Sequence, residues 1–254
     1  MKSRIAYQPG DSLLHRLHPL TKGAWLLFGT VFVFAVRNPW VILATLGLVT
    51  CAFFLAGFSL GGIRGTWLFA STALLLGALQ LLFVRQGDEL LRAGPLVVTS
   101  GGIEAGIYVA GRFLSVIVLS YLFVLSTDPN DLAYGLMRAG LPYRYGFALI
   151  MALRLAPVFE QEAHIVYQAQ LARGVRYDAR SPRRFLTLAR QFFMPLLVSA
   201  LGKVDGLAVS MEGRCFGKYP TRTFFREVHP TRQDGIAAIL LLASIAATVA
   251  LLIY

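Results

Sequence analysis

The chain has 254 residues, of which 56% are hydrophobic and only 15% charged, with a mean hydropathy of +0.63; this excludes an ordinary soluble domain of its length. Its net charge of +11 suggests nucleic acid at first sight, but the arginines alternate with long apolar runs, so a basic membrane protein without a nucleic-acid partner accounts for it. Cys51 and Cys215 are isolated and lack the spacing of a disulfide framework or a zinc site.

Residues 1–21 are polar, contain Pro9, Gly10 and Pro19, and offer no small-residue cleavage site, so no cleaved signal peptide is expected. His15 and His18 in this segment read as surface residues. The stretch 22–58 is apolar except at Arg37-Asn38-Pro39, long enough for two spans, near 22–36 and 40–57, joined at that break. A glycine-rich turn holding Arg64 leads to a third run, 66–84, which carries no charge. Residues 85–104, with both signs of charge and Gly94-Pro95, read as a loop before a fourth span near 106–126. Arg112 within that run either snorkels to the interface or lines a helix contact, and snorkelling is the preferred reading.

At Thr127 the pattern changes. Asp128-Pro129 with Asp131 signals a helix start, and Gly140 with Pro142 ends the segment. Two longer amphipathic helices follow, one from Gly146 with Pro157 inside it, the other over 185–211 with Pro195 inside it. Each proline is read as a kink, or the pair as a weak internal repeat. Both helices read as too charged to span and too apolar to dissolve, which suits packing along a membrane face. A last apolar run, 236–254, closes the chain. The predicted fold is therefore an all-α membrane protein with about five transmembrane helices and cytoplasmic amphipathic helices between the fourth and fifth spans. Its regions are 1–126 with four spans, 127–235 cytoplasmic, and 236–254 as the closing span.

Charge sets the expected orientation. Residues 127–235 hold 15 of the 24 Lys+Arg and 9 of the 13 Asp+Glu, so the segment is assigned to the cytoplasmic side. Counting back through four spans puts the N-terminus inside, where Lys2, Arg4, Arg16 and Lys22 agree, and the closing span leaves the C-terminus outside.

The two amphipathic helices finish alike, in Ala172-Arg173-Gly174 and in Gly213-Arg214-Cys215. A cation in the last turn faces the negative end of the helix dipole, and a glycine beyond it supplies the left-handed residue that stops the helix. At the second end Cys215 stands where that glycine would be, and Gly217 is expected to take the role over. A guanidinium stays charged and pairs bidentately with carboxylates. Two such ends could grip an acidic surface on another protein, whereas each alone would read as an ordinary solvated arginine.

These two ends resemble the paired Ala-Arg-Gly motifs of the transmembrane T component of energy-coupling factor (ECF) transporters, ABC-type uptake systems. Tyr7-Gln8-Pro9-Gly10-Asp11-Ser12, His18-Pro19-Leu20-Thr21-Lys22, Thr127-Asp128-Pro129 with Asp131-Leu132, and Gly140-Leu141-Pro142 are also similar to that family. The resemblance implies that Ala172, Arg173, Gly174, Gly213 and Arg214 dock onto two ABC-type ATPase subunits, identical or different. It implies a coupling subunit in a prokaryotic inner membrane that passes the ATP cycle to a separate substrate-binding S component for vitamin or transition-metal uptake.

No Gly-x-x-x-x-Gly-Lys-Ser/Thr occurs, so ATP hydrolysis is expected of partner chains, and no cofactor or metal is assigned. His164 with Glu160 and Glu162 matches no metalloprotease order. The alternative function is a self-sufficient secondary transporter, against which stands the lack of Asp, Glu, Lys or His inside the expected spans.

Overall fold

The computed structural model describes residues 7, 10, 12–36, 38–58, 66–93, 96–178, 181–219 and 231–253. Outside these lie several positions used above: Lys2, Arg4, Gln8, Pro9, Asp11, Arg37, the glycine-rich turn with Arg64, and Gly94-Pro95. In chain order the elements are α1 (Leu13–Arg16), α2 (Pro19–Ala35), α3 (Pro39–Leu55), α4 (Thr66–Phe83), β1 (Glu89–Ala93), β2 (Leu96–Thr99), α5 (Ser100–Ser126), α6 (Pro129–Arg138), α7 (Tyr143–Ala172), α8 (Pro182–Gly213) and α9 (Arg232–Ile253). The protein is an all-α membrane protein with one short β-hairpin. By length and composition α4, α5 and α8 are long and apolar enough to cross a bilayer, and α2 and α3 are shorter apolar helices of 17 residues.

Local chemistry explains the helix starts. Proline occupies the first position of α2, α3 and α8, where its missing N–H costs nothing. His18, Asn38 and Ser181 cap these helices by accepting from the backbone N–H of Leu20, Trp40 and Arg184. Asp128 does the same before α6, accepting from Asn130 at 2.9 Å. Thr99 accepts from Gly102 at 3.1 Å, so α5 begins six residues before the span expected at 106.

Two expectations are corrected here. Residues 85–104 do not form a plain loop: β1 pairs antiparallel with β2, Ala93 opposite Leu96 and Arg92 opposite Val97. Strands of five and four residues are too short to show an alternation, although Leu96-Val97-Val98-Thr99 is rich in β-branched residues. Nor is α8 too charged to span, since an 18-residue stretch of it satisfies the length and composition needed.

The chain forms two compact units, Met1–Gly135 with Val228–Tyr254, and Leu136–Glu227. In the first, α5 packs against α2, α3 and α4. Small residues permit this: a Cβ at Gly106 would sit 2.9 Å from the Gly77 carbonyl oxygen of α4, and one at Gly111 would meet the Ile42 side chain of α3 at 2.9 Å. Phe53, Ala56, Phe58 and Leu125 form a buried cluster beside this packing. Arg112 lines a helix contact. Its Nε donates to the Val33 carbonyl at 3.2 Å and its Nη2 to that of Phe34 at 3.3 Å, satisfying two of the last carbonyls of α2. The guanidinium also lies over the Tyr108 ring, 4.1 Å from its centroid.

In the second unit α7 and α8 form an antiparallel pair. Gln170 Nε2 donates to the Gln191 carbonyl at 3.0 Å, Ser199 Oγ donates to Glu162 Oε1 at 2.5 Å, and Lys203 Nζ lies 2.9 Å from Glu162 Oε2. Both helices continue through Pro157 and Pro195.

Candidate functional site

The five residues singled out at the helix ends lie in the second unit, and the two ends share one geometry. Ala172 closes α7, Arg173 is its C-cap, and Gly174 takes the left-handed conformation at φ +83°. The Gly174 N–H donates to the Leu171 carbonyl at 2.9 Å and the Val175 N–H to the Gln170 carbonyl at 3.1 Å. These two bonds make a complete Schellman motif. Gly213 closes α8, Arg214 is its C-cap, and Cys215 takes the left-handed position at φ 55°. The Cys215 N–H donates to Glu212 at 2.9 Å and the Phe216 N–H to Met211 at 3.0 Å, which is the same pair of bonds.

The expectation that Gly217 would replace the missing glycine is thereby corrected. Cys215 terminates the helix itself, and Gly217, at φ +87°, belongs to the following turn, where the Lys218 N–H donates to the Cys215 carbonyl at 3.3 Å. Among non-glycine residues described, Cys215 is the one with positive φ, a conformation that costs about 1–2 kcal/mol for an L-residue.

Both arginines are exposed, and among the described residues neither guanidinium has a hydrogen-bond or ion-pair partner. Neighbouring charges are engaged instead, Arg184 with Asp178 at 2.8 Å and Lys203 with Glu162. The Ser199 hydroxyl, and after it Lys203, hold the Glu162 carboxyl below the usual carboxylate range. Because α7 and α8 run antiparallel, their C-terminal ends lie at opposite ends of the pair. Helices of 30 and 32 residues make each arm about 45 Å long at ~1.5 Å per residue. The arrangement is two guanidinium forks, free among the described residues, each following a closed backbone turn and held well apart. It offers charge recognition. Among the described residues no group of His, Cys, Asp and Glu could hold a metal ion.

The first unit contains a second cluster, which the charge pattern did not reveal. His18 and Lys22, read as a surface residue and an inward-side charge, are both buried. Lys22 Nζ donates to the Ser126 carbonyl at 2.7 Å and to that of His15 at 3.2 Å. The His18 N–H donates to Asp234 Oδ1 at 2.6 Å, and the Thr231 N–H to Asp234 Oδ2 at 2.7 Å. Asp131 and Asp234 lie within electrostatic reach of Lys22. His15, half-buried, has Nδ1 2.6 Å from Ser12 Oγ and its ring against Phe58. The motifs His18-Pro19-Leu20-Thr21-Lys22 and Thr127-Asp128-Pro129 with Asp131 therefore meet in one polar knot with the start of α9. The available signal was the recurrence of buried-type partners, one lysine and two aspartates, at the starts of three apolar or amphipathic helices.

The family described as cobalt transport protein, CbiQ, matches residues 10–224. The chain is similar to the energy-coupling factor transporter transmembrane protein EcfT of Lacticaseibacillus paracasei, 32% identical over 91% of each chain. It is also similar to the EcfT of Bacillus selenitireducens, 29% identical over 96% of this chain and 94% of the relative. A putative ABC transporter ATP-binding protein of Bifidobacterium longum is 29% identical over 96% of this chain, which covers 32% of that longer protein.

Proposed function

This chain belongs to the cobalt transport protein (CbiQ) family, with the transmembrane T components of energy-coupling factor transporters among its relatives, and on that premise we propose that it is a non-catalytic coupling subunit whose two arginine tips dock onto ATPases. T components of this kind work with ATPase subunits in a membrane. In the Bifidobacterium relative, a segment similar to this chain forms part of a polypeptide named for ATP binding, which supports that partnership. The observation that carries the reading is the repetition of one closed Schellman turn with an exposed arginine, unpaired among the described residues, at both ends of the α7–α8 pair.

Each guanidinium would enter an acidic groove on one ATPase, identical or different. Nucleotide-driven movement of the two ATPases would shift both tips, and α7 and α8 would act as levers. Their apolar surface includes Ile165 at 62%, Val198 at 70% and Val209 at 70% exposure; an S component carrying a vitamin or a transition-metal ion would rest there. In this reading α7 and α8 lie along the cytoplasmic face and α8 does not cross the bilayer, although its composition would allow it; both tips then face the cytoplasm, the N-terminus lies inside and the C-terminus outside, in line with the basic balance of 127–235. A self-sufficient carrier is disfavoured because Lys22 and Asp234 sit in the first turns of α2 and α9, and Arg112 is occupied by carbonyls of α2.

The test is Arg173→Ala combined with Arg214→Ala. Truncating one member of a desolvated charge pair costs roughly 2–5 kcal/mol, so the double variant should lose its ATPases on purification and lose ATP-driven uptake. A double variant that co-purifies and transports as the parent does would refute the docking.

A further inference from the structure

We propose that Phe216 is a positioning residue for Arg214: it clamps the chain beyond the second tip onto the start of α7 and thereby holds Cys215 in the left-handed conformation on which the presentation of Arg214 depends. The inference rests on the docking role of Arg214 and adds to it the device that keeps this tip closed.

The two tips differ in how they are made. At the first, glycine adopts the left-handed position without steric cost. At the second, the same position is held by a residue with a Cβ, which on its own would relax toward a right-handed or extended conformation. Such relaxation breaks the Cys215 and Phe216 backbone bonds to Glu212 and Met211 and frees the last carbonyls of α8. Arg214 then loses its fixed direction. Something outside the turn must oppose this.

Phe216, immediately after Cys215, supplies that restraint. Its ring centroid lies 4.5 Å from that of Phe147 and 5.8 Å from that of Tyr143, the latter pair edge-on. Both distances fall in the range where aromatic pairs attract beyond the area they bury. Arg144 Nη2 adds a long hydrogen bond, 3.4 Å, to the Gly217 carbonyl. The residue after the left-handed position is where a Schellman motif usually makes its hydrophobic contact, but that contact is ordinarily within the same helix. Here it reaches the other helix. The first tip uses a different arrangement, with Tyr177 folding back on Tyr167 of its own helix at 5.0 Å between centroids. A consequence is that the residue following the second tip's left-handed position stacks on the N-terminal end of α7, whereas the aromatic pair beyond the first tip lies within its own helix and its trailing segment.

Phe216→Ala in the full complex tests this. If the left-handed cost of Cys215 is no longer opposed, ATPase retained on purification and ATP-driven uptake should both fall about tenfold. Adding Cys215→Gly removes that cost, so Cys215→Gly/Phe216→Ala should recover most of the loss. A general packing defect would cost as much in the Cys215→Gly background as in the parent, so the loss caused by Phe216→Ala is measured in both: a loss that shrinks when residue 215 is glycine marks the clamp, and equal losses mark a packing defect. Phe216→Ala behaving as the parent, or a double variant as impaired as Phe216→Ala alone, would overturn the proposal. Arg214→Ala measured alongside separates the two levels: its failure to weaken association would refute the docking reading, whereas a loss with Arg214→Ala but not with Phe216→Ala would refute the clamp alone.

Discussion

The motifs that mark this chain do opposite things in its two compact units. In the unit of residues 1–135 and 228–254 they turn inward: His18, Lys22 and Asp234 are buried and tie the N-terminal segment, the end of α5 and the start of α9 together. In the unit of residues 136–227 they turn outward, and Arg173 and Arg214 stand exposed on closed helix ends. Charge in the first unit is structural cement. In the second, the two helix-end arginines form the proposed contact surface, while Arg184 and Lys203 are paired within the unit. Substitutions should therefore lower stability in one unit and assembly in the other.

The largest effect on stability should come from Lys22→Met. It removes two hydrogen bonds to carbonyls and the buried charge that Asp131 and Asp234 favour, a loss of about 3–5 kcal/mol. Thermal melting of the detergent-solubilised protein should show it as a large fall in midpoint. Asp234→Ala follows, because two backbone donors lose a charged acceptor, at about 2–3 kcal/mol. Gly106→Val would force a side chain against the Gly77 carbonyl and cost about 1–3 kcal/mol. Cys215→Gly should move the other way, stabilising the second unit by about 1 kcal/mol by relieving the left-handed conformation. Glu162→Gln should have the smallest effect, since its partners Ser199 and Lys203 bond it at the surface. Because the folded Glu162 carboxyl lies below its unfolded value, its contribution is complete above the unfolded carboxylate range and is lost as pH falls through the folded value. Arg173→Ala and Arg214→Ala should leave melting nearly unchanged while removing the ATPases, and a large loss of stability from either would erase the contrast between the units.

What the sequence made legible follows the same division. Helices with strong apolar runs and proline starts were placed within a few residues, as at Pro39–Leu55 and Thr66–Phe83, because burial and capping are local signals. The arginine ends were visible because small residue, arginine and glycine recur at a helix end. The polar knot was not, since His18, Lys22 and Asp234 are distant in sequence and each alone looks like a flanking charge. The contact of Arg112 was hidden for the same reason: its partners are the carbonyls of Val33 and Phe34, which carry no sequence signature. The left-handed Cys215 escaped notice because residue type argued for Gly217, while the energy that holds Cys215 comes from Phe216 and the far end of α7.

The most direct measurement places a photo-reactive residue at position 172 or 213, beside each arginine and leaving both in place, and identifies what is captured in the intact membrane. The account predicts that both positions capture an ATPase subunit, with capture lost when the adjacent arginine is replaced by alanine. Capture of lipid alone at either position, or labelling of those positions from the outside of the cell, would contradict it.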